Sequence, residues 1–251
     1  MSHLLPHFEP HEAAKAALQK LYLPYKWLIF LPFLVVSTNL AALSIIIYGL
    51  LGGQRLMRII PIIWARANAK VTPASVEVVG REHIDPNQSY VVVANHQSHF
   101  DIFAIYGWLG IDIRWVMKKE LRHIPVFGYA CEVMGHVIID RSNHRAAMAS
   151  IETAKSRISN GTSIIFFPEG TRSLDGQLLP FKAGAFKFAK DLSLPILPVT
   201  ITGSHDILPS KTIRLQPGQM QMIVHPPIEV TEKSSIKALA RKASEVIDSA
   251  L

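Results

Sequence analysis

The chain has 251 residues, 49% of them hydrophobic and 18% charged, and its mean hydropathy of +0.23 is high for a freely soluble protein. This composition excludes an intrinsically disordered chain, and the length suits one α/β domain with an attached membrane-seeking part. The single cysteine, Cys131, excludes an intramolecular disulfide and a cysteine-based zinc site. The net charge of +7 predicts a phosphate-bearing partner, which nucleic acid, anionic lipid and small substrates all provide.

A run of 27 residues without a charged side chain extends from Trp27 to Gly53. As a helix it would be about 40 Å long, enough to cross a hydrocarbon core of about 30 Å at a tilt. Pro32 and the polar segment Ser37–Asn39 divide the run into pieces whose lengths are typical of re-entrant or interfacial segments. A single span and a one-leaflet anchor are therefore both open, and we expect residues 1–70 to form a membrane-anchoring helical region.

An amphipathic pattern follows the apolar run. Helical spacing places on one stripe Leu56, Ile59, Ile60, Ile63 and Trp64, whereas Arg55, Arg58 and Arg66 lie off it. A similar helical face is predicted within residues 11–21. A basic helix of this kind either lies in the plane of the lipid headgroups or packs on a globular domain, and the pattern is compatible with both.

Strand-like and helix-like stretches alternate from Pro73 onward, which predicts an α/β domain over residues 71–251. We expect a mixed or mostly parallel sheet flanked by helices. The predicted strands are Ser75–Val79, Tyr90–Ala94, Ile113–Met117, Val137–Ile139, Ser163–Phe167, Ile196–Thr202 and Gln221–Val224. The predicted helices are Phe100–Leu109, His144–Ile158, Ala185–Asp191 and Ser234–Leu251.

The first candidate site is the segment Asn95–Asp101, directly after the second predicted strand. Ligands of open α/β sheets gather beyond the carboxyl ends of the strands. His96 and Asp101 are five residues apart, so one helical turn between them can bring the carboxylate to the imidazole and prepare the ring as a general base. An ordinary helix start capped by Asn95 or Ser98 explains the same spacing without any chemistry.

The second candidate site is the segment Phe166–Ser173, after the fifth predicted strand. Gly170 allows close backbone approach, Thr171 offers a hydroxyl, and Arg172 offers a planar fork suited to phosphate. Glu169 either binds a substrate hydroxyl or fixes the loop, and a plain turn with a Glu169–Arg172 ion pair is the alternative.

Two further cations are candidates for holding an anion. Lys182 follows the second segment closely enough to reach the same anion. Arg141 ends the short strand Val137–Ile139, where it either binds phosphate or forms a surface ion pair with Asp140.

Together, these segments resemble the glycerolipid acyltransferase family, and most closely the bacterial-type 1-acyl-sn-glycerol-3-phosphate acyltransferases. The resemblance covers about Val76 to Thr202 and rests on the order of NHQSHFD, KKELRHIPVFGYA, GHVIIDR, FPEGTRS with FKAGAF, and ILPV. It implies that His96 is the catalytic base and Asp101 its orienting partner. It also implies that the acyl acceptor is bound by Glu169, Gly170, Thr171 and Arg172, and its phosphate by Arg141 and Lys182. The family requires no metal and no cofactor, and its final motif, here Leu197-Pro198-Val199, is weak.

The resemblance implies transfer of a fatty acyl group from acyl-CoA or acyl-acyl carrier protein to the sn-2 hydroxyl of lysophosphatidate, giving phosphatidate. It also implies a bacterial inner membrane location with the catalytic domain facing the cytoplasm. Alternatives are acylation of another lyso-lipid or of glycerol 3-phosphate, and, in a different class, a non-catalytic module that binds anionic lipid. Nucleic acid is not an expected partner, because no binding motif is present.

The residues also predict a direct transfer without an acyl-enzyme. Cys131 lies in an apolar stretch typical of a buried helical turn, and Ser98 is expected to cap a helix. Backbone N–H groups of the His96 turn are candidate donors to the tetrahedral oxyanion.

Overall fold

The computed structural model describes residues 22–140, 149–150, 152–158 and 161–251. Arg141, the helical face predicted within residues 11–21 and the first part of the helix predicted at His144–Ile158 lie outside the described residues. Within that last prediction, residues 149–150 and 152–154 are helical and lead into a 3-10 turn at Lys155–Arg157.

Seven strands of the described residues form one sheet in the order β1-β7-β6-β2-β5-β3-β4. The strands are β1 Ala74–Val79, β2 Val91–Ala94, β3 Asp112–Lys118, β4 Val137–Ile139, β5 Thr162–Phe166, β6 Ile196–Thr202 and β7 Gly218–Val224. β2 to β6 all run parallel, β7 is antiparallel to β6, and β1 is parallel to β7. The predicted mixed α/β sheet is confirmed, and its five parallel strands end at one edge.

Helices cover both faces of this sheet. They are α1 Leu31–Leu50, α2 Gln54–Val71, α3 Phe100–Trp108, α4 Phe127–Val133, α5 Gly184–Leu192, α6 Ser204–Ile207 and α7 Ile236–Asp248, with 3-10 turns at Arg81–His83 and Lys119–His123. Val91 and Val93 face α5 and α7, whereas Val92 and Ala94 face α3, because successive side chains of a strand point to opposite sides. All of β2 is buried, as expected for a strand covered on both faces.

α1 and α2 form an antiparallel helical hairpin joined at Leu51–Gly53. A π-helical turn, Lys26–Phe30, precedes α1, and the helix runs unbroken from Tyr22 to Leu50. The tyrosine hydroxyls at its start donate to carbonyls at the end of α2, with Tyr22 reaching Thr72 at 2.8 Å and Tyr25 reaching Val71 at 2.5 Å. Both ends of the hairpin therefore lie together, next to the sheet domain.

The expected division of the apolar run is wrong. Pro32 follows the π-helical turn Lys26–Phe30 inside the continuous helix, so it lacks one helical N–H donor there without ending the helix. The polar residues pair across the hairpin instead of breaking the helix: Ser37 bonds Asn68, and the Trp64 indole N–H donates to Thr38 at 3.0 Å. A partner helix satisfies these groups, which the sequence pattern alone does not reveal.

The hairpin packs on the domain through one side and exposes an apolar surface on the other. Phe30 and Ala65 are buried with Phe100 and Phe103 of α3, and the far end of α1 packs on α4. On α2 the buried row is Met57, Pro61, Ala65 and Ala69. The exposed apolar surface, here called the hairpin face, comprises Leu28, Val35, Val36, Leu40, Leu43, Ile47, Leu51, Leu56, Ile59 and Ile63. Packing of α2 on the domain is thus confirmed; the helix also exposes an apolar stripe, and its place in the plane of the lipid headgroups stays a prediction.

Candidate active site

The candidate site lies where the adjacent parallel strands β2 and β5 end. Asn95 follows β2, and its side-chain amide bonds the backbone of Ile201 in β6, donating at 2.8 Å and accepting at 2.7 Å. This anchors the turn that carries His96. Phe167 to Glu169 leave β5 at the same edge, so strand pairing brings together two segments more than 70 positions apart.

One carboxylate oxygen organises the His96 turn. Oδ2 of Asp101 accepts from His96 Nδ1 at 2.7 Å, from the Gln97 N–H at 2.8 Å and from the Ser98 N–H at 2.9 Å. Because the carboxylate is the acceptor, Nδ1 carries the hydrogen and Nε2 is left as the proton acceptor. Asp101 is 0% exposed, whereas the His96 side chain is 15% exposed. The pair therefore joins a buried orienting group to a ring within reach of a ligand.

The imidazole is also held from its face. The rings of His96 and Phe167 are stacked, with centroids 3.8 Å apart and an interplanar angle of 7°. Trp115 of β3 lies behind Phe167 at 5.8 Å. Stacking and the Asp101 bond together fix both the plane of the ring and its rotation.

Glu169 ties the loop after β5 to the histidine turn. Its carboxylate accepts from the His96 N–H at 2.6 Å and from the Leu179 N–H at 3.0 Å, while the Ser173 N–H donates to the His96 carbonyl at 2.8 Å. Glu169 is buried, and this burial raises its pKa to about 7. Of the two roles open to Glu169, this geometry favours fixing the loop, and no Glu169–Arg172 ion pair forms among the described residues.

The other candidate residues of this loop are largely accessible to solvent. Gly170 has φ +75, a backbone conformation that favours glycine, and the Lys182 side chain lies over it, with Nζ 2.5 Å from where a Cβ would be. Thr171 and Lys182 are exposed, and Arg172 is partly exposed. The pKa of His99 is lowered to about 4, first by partial burial of its ring and then by the positive charge of Arg172. That effect places the guanidinium within electrostatic reach of the histidine turn.

The expected oxyanion donors are engaged elsewhere. The N–H of His96 is taken by Glu169, and those of Gln97 and Ser98 by Asp101. These three amides are therefore not free to receive a developing negative charge in this arrangement, and the identity of the oxyanion donors stays a prediction. The carboxylates of Glu169 and Asp101 thus stabilise the turn by accepting hydrogen bonds from its backbone N–H groups.

Comparison with known proteins now bears on this arrangement. The sequence profile of the family described as Acyltransferase matches residues 75–202, just over half of the chain. The chain belongs to the acyltransferase family. That match includes both segments that build the site, from the His96 turn to the loop of Arg172.

Two relatives of the chain share one enzyme name. The chain is 36% identical over 152 residues to a 1-acyl-sn-glycerol-3-phosphate acyltransferase of Chlamydomonas reinhardtii, covering 60% of this chain and 46% of that protein. It is 37% identical over 154 residues to 1-acyl-sn-glycerol-3-phosphate acyltransferase alpha of Homo sapiens, covering 61% and 54%. The chain spans about half the length of the curated relatives it matches.

A solved structure matches nearly the whole acyltransferase. The crystal structure of the 1-acyl-sn-glycerophosphate (LPA) acyltransferase PlsC from Thermotoga maritima superposes with a TM-score of 0.79 at 27% identity, covering 95% of each chain. This match includes the α1–α2 hairpin as well as the sheet domain.

The sequence does not reveal several contacts that hold the site. Phe167 belongs to the second candidate segment, but nothing in the sequence indicates that its ring lies on His96. Leu179 supplies a backbone N–H, a contribution that no side-chain pattern can reveal. His136, to which no role was given, is buried, and its pKa is lowered to about 3 by desolvation and by Arg114. It bonds the Tyr106 hydroxyl at 2.7 Å within the core.

Proposed function

We propose that the protein transfers a fatty acyl group from acyl-CoA or acyl-acyl carrier protein to the sn-2 hydroxyl of lysophosphatidate, giving phosphatidate. The observation that carries the proposal is the 2.7 Å bond from His96 Nδ1 to buried Asp101, which leaves Nε2 as a general base on a partly open edge. The relatives' shared name, 1-acyl-sn-glycerol-3-phosphate acyltransferase, supports the choice of acceptor.

The proposed reaction is a direct displacement at the thioester. Nε2 of His96 takes the proton of the acceptor hydroxyl as its oxygen attacks the thioester carbonyl carbon. The C–S bond breaks when the tetrahedral intermediate collapses, and the departing thiolate takes the proton from the imidazolium. Asp101 stabilises that imidazolium because its carboxylate lies 2.7 Å from Nδ1.

The loop after β5 is the proposed acceptor site. Arg172 and Lys182 would bind the acceptor phosphate, Arg172 through bidentate charge-assisted bonds and Lys182 as a mobile point charge. Thr171 contributes an exposed hydroxyl, and Glu169 holds the loop against the His96 turn. Arg141, outside the described residues, remains a proposed phosphate ligand.

We place the hairpin in one leaflet of a membrane. A helix that crosses the bilayer leaves the water-exposed domain along its length, but α1 packs at its start on α3 and at its end on α4, both of which belong to the sheet domain. The hairpin face is then the part that enters lipid, with the arginines of α2 near the headgroups. A bacterial inner membrane, with the domain on the cytoplasmic side where thioester donors occur, is the proposed location.

Thiol release measured across a panel of acceptors tests this function. We expect release from a long-chain acyl-CoA or acyl-acyl carrier protein to require lysophosphatidate, with phosphatidate as the product. Lysophospholipids with larger head groups, glycerol 3-phosphate and a no-acceptor sample serve as comparisons. Faster turnover with one of those acceptors would replace lysophosphatidate as the substrate, and no turnover with any of them would leave a lipid-binding module.

A further inference from the structure

The loop between α6 and β7 presents an exposed apolar residue between two cations. Ile213 is 64% exposed, and Lys211 and Arg214 beside it are also exposed, whereas Ser210 and Leu215 at the loop's two ends are buried. A single exposed apolar residue is ordinary on a protein surface, but an isoleucine between two cations at a loop tip also suits the boundary between lipid headgroups and acyl chains.

The loop tip has a defined shape. The Thr212 N–H and hydroxyl both donate to the Pro209 carbonyl, at 3.2 and 2.9 Å, and the Arg214 N–H donates to the Thr212 hydroxyl at 3.3 Å. Internal bonds of this kind order the backbone before any ligand binds, so little conformational entropy is lost when the tip meets a surface.

A buried lysine fastens this tip to the start of the hairpin. Lys26 is 5% exposed, and its ammonium donates to the Ile213 carbonyl at 2.8 Å while lying 4.8 Å from the Trp27 ring. A buried ammonium is costly unless it is bonded, so this contact fixes the position of the loop. Two exposed apolar residues adjoin Lys26: Trp27, which is 53% exposed, and Leu23, one helical turn before it, which is 51% exposed.

We propose that the loop Pro209–Leu215 is a second membrane-binding element, which inserts Ile213 into the leaflet that holds the hairpin and binds anionic lipid phosphates through Lys211 and Arg214. This inference rests on the proposed membrane placement of the hairpin. It commits to a bilayer because the tip adjoins the exposed apolar residues Leu23 and Trp27 at the start of the hairpin and adds positive charge beside them. A protein partner would have to bind an apolar surface that spans both elements.

The loop also touches the catalytic turn. The Ser98 hydroxyl donates to the Leu208 carbonyl at 2.8 Å, two residues along the chain from His96. Leu208 and Leu215 pack in the core that the hairpin shares with α3. A loop held by Lys26 on one side and by Ser98 on the other would set the height of the His96 turn above the lipid surface from which the acceptor comes.

A fluorophore on single cysteines tests the insertion directly. In a Cys131→Ala background, Ile213→Cys, Leu28→Cys and Lys242→Cys are each labelled with an environment-sensitive dye and mixed with vesicles of phosphatidylcholine and phosphatidylglycerol. Lys242 is an exposed residue of α7, on the opposite face of the sheet, and serves as the matched control. We expect nitroxide-labelled lipid to quench the dye at 213 and at 28, and to leave the dye at 242 unchanged.

The pattern of quenching separates this inference from the proposed function. Quenching at 28 without quenching at 213 overturns the loop's role and leaves the hairpin anchor intact. Absence of quenching at both positions overturns the loop proposal together with the membrane placement.

Removal of the two loop cations tests the lipid charge. At about fivefold in membrane affinity per cation, the Lys211→Ala/Arg214→Ala variant labelled at 213 should lose roughly 30-fold of the gain that phosphatidylglycerol gives over pure phosphatidylcholine. Lys237→Ala/Arg241→Ala, which removes two exposed cations of α7, should retain that gain. Equal losses in the two double variants would show a general charge effect and contradict a lipid site on the loop.

Discussion

His96 depends on a carboxylate that cannot be reached by solvent, so each member of the pair has a distinct expected effect. His96→Ala should lower the rate of acyl transfer by about 10²–10⁴-fold, the usual contribution of a general base. Asp101→Asn should also lose much of the rate, because a neutral amide stabilises the imidazolium less. The measurement is the steady-state rate of thiol release, with thermal unfolding as the check that the variants fold. Near-normal turnover of His96→Ala would contradict the assignment.

Arg172 is expected to act on the acceptor's phosphate and not on the chemical step. Arg172→Ala should raise KM for lysophosphatidate by more than it lowers kcat, and Arg172→Lys should restore only part of the affinity because an ammonium lacks the planar fork. A monoacylglycerol, which lacks the phosphate, is the matched substrate. An unchanged KM for lysophosphatidate would mean that Arg172 is structural.

Glu169 makes stability depend on pH in a defined direction. Burial raises its pKa from 4.5 to about 7, so between these values the folded protein holds a proton that the unfolded chain has released. The free energy of unfolding must then fall as pH rises through this window, by about 3 kcal/mol at most if this group acts alone. We expect thermal unfolding in detergent to show this fall in the wild type.

The Glu169→Gln variant isolates that contribution. Glutamine keeps one acceptor for the N–H groups of His96 and Leu179 but does not titrate, so the difference in stability between the two proteins should shrink as pH rises from 4.5 to 7. Parallel pH profiles for wild type and variant would place the titration on another group.

Among the elements, the hairpin packs on the sheet domain with one side and is proposed to bind lipid with the other. A test of membrane binding must therefore change the exposed side without disturbing the packed side. Deleting α1 would remove Phe30 from the core around Phe100, so exposed positions give the cleaner test. Leu40→Asp combined with Ile63→Asp should release the protein from membranes, because each charge in lipid costs about 2–3 kcal/mol. Ala238→Asp, an exposed apolar position on α7, is the control, and fractionation of membranes is the measurement.

The same element predicts how the protein leaves the membrane. High salt should not extract the wild type, since buried apolar area outlasts charge screening. Release of the wild type by salt alone, or retention of the Leu40→Asp/Ile63→Asp variant, would contradict anchoring by the hairpin face.

For the molecule as a whole, the order of chemical events follows from which nucleophiles the fold makes available. Cys131 is buried in α4, and burial raises the pKa of its thiol to about 12, so it carries no thiolate at neutral pH. The Ser98 hydroxyl donates to Leu208 and accepts from the Phe100 N–H, which leaves it no proton for His96 to take. Both observations favour direct transfer between the two bound substrates.

We therefore expect sequential steady-state kinetics and no burst of free thiol in the absence of acceptor. Cys131→Ala should retain activity, as should Ser98→Ala apart from a loss of stability at the start of α3. Capture of a labelled acyl group on the protein during turnover, detected by mass spectrometry, would overturn the direct mechanism.

Local pattern was enough for most of the architecture. Alternation of apolar strands and helical stretches predicted all seven strands, and β4 and β6 have the predicted boundaries. The five-residue interval between His96 and Asp101 predicted their contact, but the helical turn expected between them is wrong: α3 begins at Phe100, and a non-helical turn at residues 96–99 carries the histidine. The strands and the His96–Asp101 contact involve residues close together in the chain, so they can be predicted from the sequence.

Only the tertiary structure decided what depends on residues distant in the chain. Pairing of β2 with β5 brings Glu169 and Phe167 to His96. The carboxylates of Glu169 and Asp101 then accept from amides of the His96 turn, which the sequence had suggested as donors to the oxyanion. In the sequence, Ser37 and Thr38 interrupt an apolar run and predict a break in the helix. In the folded protein they form hydrogen bonds with side chains of α2. The amino-acid sequence by itself determined most of the elements, the family and the contact between His96 and Asp101, because these depend on residues close together in the chain. Hydrogen-bond partners and exposed faces were decided by packing, because a polar group's cost depends on what lies against it.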